Sequence, residues 1–216
     1  MRPDWYPDWS GFAVAIIASG PSAKKANIAA LRDEMPVIAI KENVELAPWA
    51  DVVYGCDSAW WKARNGLPDF KGLKITWKGD SAHPAAPYPD LKLVDVDAKS
   101  DDLIFDPSGK LGSGGNSGFQ ALNLAVQFGV KHILLVGFDM NDRSGAHWYG
   151  RNNWQGGNNP TEDNFRRWIR AFELAAPKLR DRNIQVFNAS NNSSLKCFER
   201  RSIEETLRIW DLVDAA

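Results

Sequence analysis

Apolar residues along this chain fall in short unbroken runs separated by polar, glycine-marked turns. Phe12 to Ala18 is the first run. Val37 to Ile40, Val52 to Tyr54 within Asp51–Asp57, and Ile133 to Val136 follow, and Ile184 to Phe187, interrupted by Gln185, is read as a last strand. Runs of that length, bounded by turn signals, read as strands buried on both faces of a sheet. Lys74 to Lys78 and Leu91 to Asp97 alternate in the manner of strands with one polar face. Helical spacing appears in Phe119, Leu122, Ala125 and Val126. Asn116 and Ser117 are suited to capping the start of that helix, and Gly129 to ending it. Further helices are predicted at Ala23 to Arg32 behind the Pro21-Ser22 turn, and from a Ser58 cap through Trp60, Trp61 and Lys62 to a stop at Gly66. Two more run from a Thr161 cap over Glu162 to Lys178, and onward from Ser202.

Strands alternating with helices predict an α/β fold, a mostly parallel sheet with helices on both faces. Ligands of such sheets bind beyond the carboxyl ends of the strands. Four polar clusters fall there: Ser19-Gly20-Pro21-Ser22, Lys41-Glu42-Asn43, Cys56-Asp57-Ser58 and Gly137-Phe138-Asp139. The glycine-dense turn Gly112-Ser113-Gly114-Gly115 feeds the helix that starts near Ser117-Gly118. Glycine lets backbone approach a ligand closely, and a helix N-terminus favours an anion. A phosphate-bearing ligand is therefore expected in a crevice at this end of the sheet.

Composition narrows the class. A chain of 216 residues can bury a full core, so residues 1–216 are read as one domain. The net charge of −1 argues against a protein that coats nucleic acid generically. Two cysteines, Cys56 and Cys197, without metal spacing fit a reducing compartment. The run at Phe12 is too short to span a bilayer, and the opening residues MRPDWYPDW lack a signal-peptide pattern. A cytoplasmic location without membrane insertion is expected. The segment 141–160, dense in Asn, Gly and aromatic residues, is long enough to predict a functional lid.

Several motifs are excluded. Position 117 is serine, so the dinucleotide fingerprint fails, and no P-loop occurs. His83, His132 and His147 lack zinc-site spacing. Asp95-Val96-Asp97 has a spacing that sugar-nucleotide enzymes use for a divalent metal, but in an alternating strand both carboxylates face solvent. A metal is allowed and not expected.

Two segments carry a resemblance. Ile16 to Ser22 resembles the first strand and Gly-Pro-Ser turn of bacterial sialyltransferases of glycosyltransferase family 42. Ser117-Gly118 and the strand ending Gly137-Phe138-Asp139 are similar to that family's Ser-Gly helix and Gly-Ile-Asp strand. The framework is shared with flagellin-glycosylation accessory proteins, pterin diphosphokinase-like proteins and small phage glycosyltransferase-like proteins. Trp49-Ala50-Asp51 and Tyr54 to Trp61 are most similar to the phage group. The resemblance implies a Rossmann-like (GT-A-like) glycosyltransferase that binds a UDP- or CMP-linked sugar without a required cofactor. It places Ser19, Gly20, Pro21 and Ser22 against the nucleotide, with Lys41, Asn43, Asp57 and the Gly114-Gly115-Asn116-Ser117-Gly118 turn around it. Where the family reads His-Tyr-x-Gly-His and uses the last histidine as base, this chain reads His147-Trp148-Tyr149-Gly150-Arg151.

Three residues are candidates for the base that an inverting transfer requires: His147, Asp139 and Asp57. Lys41, Tyr149 and Arg151 are candidates to neutralise the leaving phosphate, and Trp148 and Trp154 to stack on a sugar or base. Ten basic residues stand against five acidic ones from Arg151 to Arg201, with Arg166 and Arg170 one helical turn apart. That polarity, with the phage resemblance, predicts a polyanionic acceptor, a hydroxymethylated base in DNA. A surface glycan acceptor and a non-catalytic nucleotide-binding role are the alternatives. Pyrophosphate transfer to a pterin would instead need magnesium at Asp95 and Asp97.

Overall fold

The computed structural model describes residues 1–212 and shows a nine-stranded sheet in which every pairing is parallel. The strands are β1 (Ala13–Ile17), β2 (Val37–Ile40), β3 (Val52–Tyr54), β4 (Leu73–Trp77), β5 (Lys92–Asp97), β6 (Lys110–Gly112), β7 (His132–Val136), β8 (Gln185–Asn188) and β9 (Glu199–Arg200). Their order is β6-β5-β4-β3-β2-β1-β7-β8-β9, so the chain winds outward one way from β1 and then returns to build the other half. Ala15 sits between Val37 of β2 and Leu134 of β7, and all five residues of β1 are buried. Its unbroken apolar run follows from that double burial.

Period-two alternation divides the core into two layers. Val14, Ile16, Ile38, Ile40, Val52, Tyr54, Ile133 and Leu135 pack under α2 (Ser117–Phe128) and α3 (Glu162–Arg180). Ala13, Ala15, Ile17, Val37, Ala39, Leu134 and Val136 face the opposite layer, which includes α4 (Ile203–Ile209). On that side Val53 packs with Trp60 and Trp61 of α1 (Ser58–Ala63). The caps at α2, α3 and α4 are as the sequence predicts. Asn116 Oδ1 accepts from Phe119 N–H at 2.9 Å, Gly129 adopts φ 99°, and Thr161 and Ser202 each form a capping box.

Three local expectations are corrected. Ala23 to Arg32 forms two 3₁₀ turns, Pro21–Lys25 and Ile28–Leu31, broken at the extended Ala26. This segment lies against the sheet: a Cβ on Gly137 would come within 2.8 Å of the Ala23 methyl, closer than a regular helix packs. Asp57, not Ser58, is the N-cap of α1, and its carboxylate makes no cap bond because Lys41 holds it. The edge strands β6 and β9 are additional, three and two residues long. Nothing in so short a polar stretch carries a strand period.

Candidate functional site

The carboxyl ends of β1, β2, β3 and β7 converge on the N-terminus of α2, with a cleft of about 320 Å³ between them. Each wall has a local cause. On the first wall, Ser19-Gly20 leaves β1 and runs against the end of β7, where Gly20 N–H donates to Gly137 O at 2.8 Å. A Cβ on Gly20 would lie 2.5 Å from that oxygen, so glycine is required by the neighbouring strand. On the second, Lys41 leaves β2 in the left-handed conformation, φ 51°, and its ammonium pairs with Asp57 at the end of β3. Burial is the largest single influence and lowers the lysine pKa, but the charge and hydrogen bond of Asp57 together with Cys56 and Tyr149 outweigh it, and the net shift is upward. The same lysine holds Asp57 below the usual carboxylate range. On the third, Asn116 caps α2, and the Ser117 and Gly118 N–H groups have no acceptor within the helix. Ser117 Oγ accepts from Cys56 N–H at 3.4 Å, which ties this wall to β3.

The fourth wall is the segment 141–160, which crosses above the strand ends. Trp148 N–H donates to Ser19 O at 2.9 Å, and Trp148 Nε1 to Asn43 Oδ1 at 2.9 Å. These bonds turn the Trp148 ring away from the cleft into the core layer beneath, and bring His147 and Tyr149 to its surface. The two rings stack at 5.0 Å and 14°. His147 Nε2 is buried and has no hydrogen-bond partner. Burial, aided by the Lys41 charge, lowers the His147 pKa to about 4, so the imidazole is neutral at pH 7. Tyr149 is pushed up to about 12, chiefly by burial, and its hydroxyl donates to Asn152 Oδ1 at 2.9 Å.

Of the residues expected around the ligand, Ser19, Gly20, Lys41, Asp57, Gly115, Asn116, Ser117, Gly118, His147 and Tyr149 line this one cleft. Others lie elsewhere. Asp139 is buried and accepts from Ser22 N–H at 2.9 Å and from Ser22 Oγ, so it fastens the Pro21-Ser22 turn and opens on a neighbouring depression. Asn43 is fully buried behind the cleft, where its amide reaches Ser19 Oγ at 3.0 Å and Ile40 O at 2.6 Å. The space a Cβ would take at Gly114 and Gly118 belongs to Phe119 and Phe138, at 2.1 Å and 2.9 Å, so packing explains these glycines better than ligand approach. Arg151 is exposed, and Trp154 lies beside α1.

The basic half of the chain is also altered by its partners. Arg166 pairs with Glu162 and Asp163, Arg167 with Asp101, Lys178 with Asp102 and Arg201 with Glu199, which accounts for four of the ten cations. Arg166 and Arg170 stand on the outer face of α3, around a separate shallow depression. Asp95 and Asp97 pair with Lys78 and Lys110, each at 3.0 Å. Among the described residues no three His, Cys, Asp or Glu side chains converge as metal ligands, and no helix is long and apolar enough to cross a membrane.

Sequence reasoning missed part of the lining. Asn152, Asn158, Asn159, Asn164, Phe165 and Trp168 close the cleft from the lid segment and α3. Asn152 N–H donates to Asn159 Oδ1 at 2.8 Å, its amide to Asn158 O at 2.6 Å, and Trp168 Nε1 to Gly115 O at 2.8 Å. The density of asparagine in 141–160 is the one visible signal for Asn152, Asn158 and Asn159; Asn164, Phe165 and Trp168 lie on α3 and carry none.

The same architecture occurs in solved structures of the sialyltransferase CstII from Campylobacter jejuni. Its complex with cytidine-5′-monophosphate superposes with a TM-score of 0.57 at 14% identity, over 89% of this chain and 86% of that one. The complex with the substrate analogue CMP-3FNeuAc gives 0.55 at 14%, over 88% and 86%. The complex with a trisaccharide acceptor and CMP gives the same values, 0.55 at 14%, over 88% and 86%. No protein-family model matches the sequence, and no curated protein matches it. The class that fold and topology define is an α/β protein with an all-parallel, Rossmann-like sheet, the fold it shares with those structures.

Proposed function

We propose that this protein is a glycosyltransferase that takes a sugar from a nucleotide-sugar donor, CMP- or UDP-linked, bound in the cleft between Ser19-Gly20, Lys41, Asp57 and Ser117-Gly118. The observation that carries the reading is His147 Nε2, buried without a partner in the same cleft as a cation and a helix N-terminus. The acceptor hydroxyl oxygen attacks the anomeric carbon as the bond from that carbon to the phosphate oxygen breaks. A single in-line displacement of this kind inverts the anomeric centre. The acceptor proton passes to neutral His147, and the departing phosphate keeps the electron pair. Lys41 and the first N–H groups of α2 stabilise that phosphate charge as it develops. Asp57 is the rival base, but Lys41 keeps it ionised and engaged.

The shared fold with a protein solved in complex with CMP and with a trisaccharide acceptor supports a nucleotide donor and a hydroxyl acceptor. A DNA acceptor loses its main support with the pairing of Arg166 and Arg167. One observation favours a second reading, nucleotide binding without transfer: Arg151 occupies the place of the expected base and is exposed. The test is incubation with a panel of nucleotide sugars, with and without EDTA, followed for nucleotide release and sugar transfer. Nucleotide release that EDTA leaves intact is expected. Nucleotide binding with no release from any donor would establish the second reading.

A further inference from the structure

Beside the donor cleft lies a second, larger groove of about 830 Å³, between α1, the end of β4 and the tip of the 141–160 segment. The two hollows share Cys56, Asp57 and Asn158, so a molecule filling the groove has one end at the donor. Trp77, the last residue of β4, and Trp154, from the crossing segment, contribute half-buried indole rings to its walls. Trp154 is held in place. Arg64 lies over its ring at 5.9 Å, and Arg64 is itself fixed by Glu42, with Nε donating at 2.9 Å. The far wall is a turn braced by Asp80, whose carboxylate accepts from Ala82 and His83 N–H at 2.9 and 2.7 Å. At the other end a Cβ on Gly156 would come within 3.1 Å of the Ala59 methyl, so the crossing segment touches α1 there.

Ser58 also lines the groove, and its Oγ is buried with no hydrogen-bond partner. A buried hydroxyl without a partner is uncommon, and here it adjoins an open polar hollow. The lining is poor in formal charge. Asp57 is paired with Lys41, His83 with Asp80 at 3.3 Å, and Lys62 is the remaining cation of the wall. A polyanion such as duplex DNA is held by many cations acting together, and one lysine does not supply them. Flat aromatic faces with isolated hydroxyl and amide groups instead suit an uncharged ring compound that is apolar on its faces and rich in hydroxyls at its edge.

We propose that this groove is the acceptor site and that it takes a neutral saccharide, with Trp77 and Trp154 as stacking platforms, Ser58 as a hydrogen-bonding group and the reacting hydroxyl delivered into the donor cleft, which holds His147, where the two hollows meet at Cys56, Asp57 and Asn158. The inference rests on the donor-site reading above, in that it makes the groove an acceptor subsite; saccharide binding itself is separable from that reading.

The experiment applies the full chain to an array of neutral glycans, with hydroxymethylcytosine-containing duplex DNA as a competing probe, and measures CMP and UDP affinity in parallel by calorimetry. Trp154→Ala and Trp77→Ala are expected to weaken the strongest glycan by roughly five- to tenfold, the scale of losing one stacked ring. Trp154→Tyr should retain most of the binding, and all three should leave nucleotide affinity unchanged. Lys62→Trp, at an exposed helix position that does not disturb the core, should block the groove and abolish glycan binding in a folded protein. Glycan affinity unaltered in all of these variants, no glycan bound by the wild-type chain, or salt-sensitive DNA binding lost in Lys62→Glu would each overturn the proposal. Failure of CMP and UDP to bind, with glycan binding that Lys62→Trp still abolishes, would overturn the donor reading and leave the saccharide groove standing.

Discussion

Lys41 and Asp57 form an ion pair that joins the end of β2 to the end of β3 across the floor of the cleft. The lysine holds a left-handed backbone conformation to do so, one that a non-glycine residue adopts at some cost. The pair presents one cation already aligned beside the free N–H groups of α2. A phosphate entering the cleft competes with Asp57 for the same ammonium. The two partners therefore have opposite effects on nucleotide affinity. Lys41→Met should weaken CMP or UDP binding by roughly ten- to a hundredfold, the scale of a hydrogen bond to a charged group. Asp57→Asn should tighten it, because the competing carboxylate is gone. Calorimetric titration of both variants checks the sign. Equal weakening in the two would show that the intact pair, and not the lysine alone, binds the nucleotide.

Asp139 belongs to the scaffold. Its carboxylate takes the N–H and hydroxyl of Ser22 in a buried position, and Ser194 N–H donates to its backbone oxygen at 2.8 Å. Asp139→Ala leaves two donors of Ser22 without their acceptor and should destabilise the protein by about 1–3 kcal/mol. Ser22→Ala should cost less, since the N–H bond survives. Chemical denaturation read by tryptophan fluorescence gives both values. A normally stable Asp139→Ala protein with no turnover would return this residue to the list of bases.

Gly114 is closed in by the Phe119 ring, and Gly118, which lines the cleft through its backbone, meets Asn116 and Phe138 where a Cβ would go. Gly114 sits at φ 53°, with the Phe119 ring where a side chain would go. Gly114→Val should therefore lower stability by about 1–3 kcal/mol or more from overpacking alone, and more again from its backbone conformation. Reduced nucleotide binding in that variant would follow from unfolding. A thermal melt alongside the binding assay separates the two causes.

How much of this was legible depends on whether a residue's neighbours are local. β1, β2 and β7 were readable because burial on both faces writes an unbroken apolar run. The caps at Asn116, Thr161 and Ser202 were readable because a cap acts on residues three positions away. Polar residues at strand ends were located correctly and could not be sorted. Lys41 turns into the cleft, while Asn43, two residues on, turns behind it to hold Ser19 and Trp148. Asp57 and Asp139 end their strands alike, yet one faces the cleft and the other clamps a turn. That choice is made by a partner more than a hundred residues away in sequence, as with Ser22 and Asp139. The same holds for Trp148, placed as a stacking residue by its polar surroundings and held half-buried, away from the cleft, by its bond to Asn43. Arg166 and Arg167 read as a basic stripe until Glu162, Asp163 and Asp101 are in place beside them.

His147 carries the most specific pH behaviour in the protein. Burial and the nearby Lys41 charge lower its pKa from 6.5 to about 4, so protonation is disfavoured in the folded chain. The unfolded chain binds that proton at about 6.5. Between those two values the unfolded state carries more protons, and stability therefore rises with pH across the window. The contribution of His147 is fully present above pH 6.5 and is lost as pH falls toward 4. In NMR titrations its ring protons should shift with a midpoint near 4. A bound donor places a phosphate near Lys41 and offsets its charge, which should move the midpoint upward. As base, His147 must be neutral to act, so kcat/KM should be flat through pH 6–8 and fall only toward its low free-enzyme pKa. His147→Ala should lower kcat by roughly 10²–10⁴-fold with nucleotide affinity little changed. An acid limb near 6.5, or a full-rate His147→Ala enzyme, would remove His147 from the chemistry and leave Asp57 as the base.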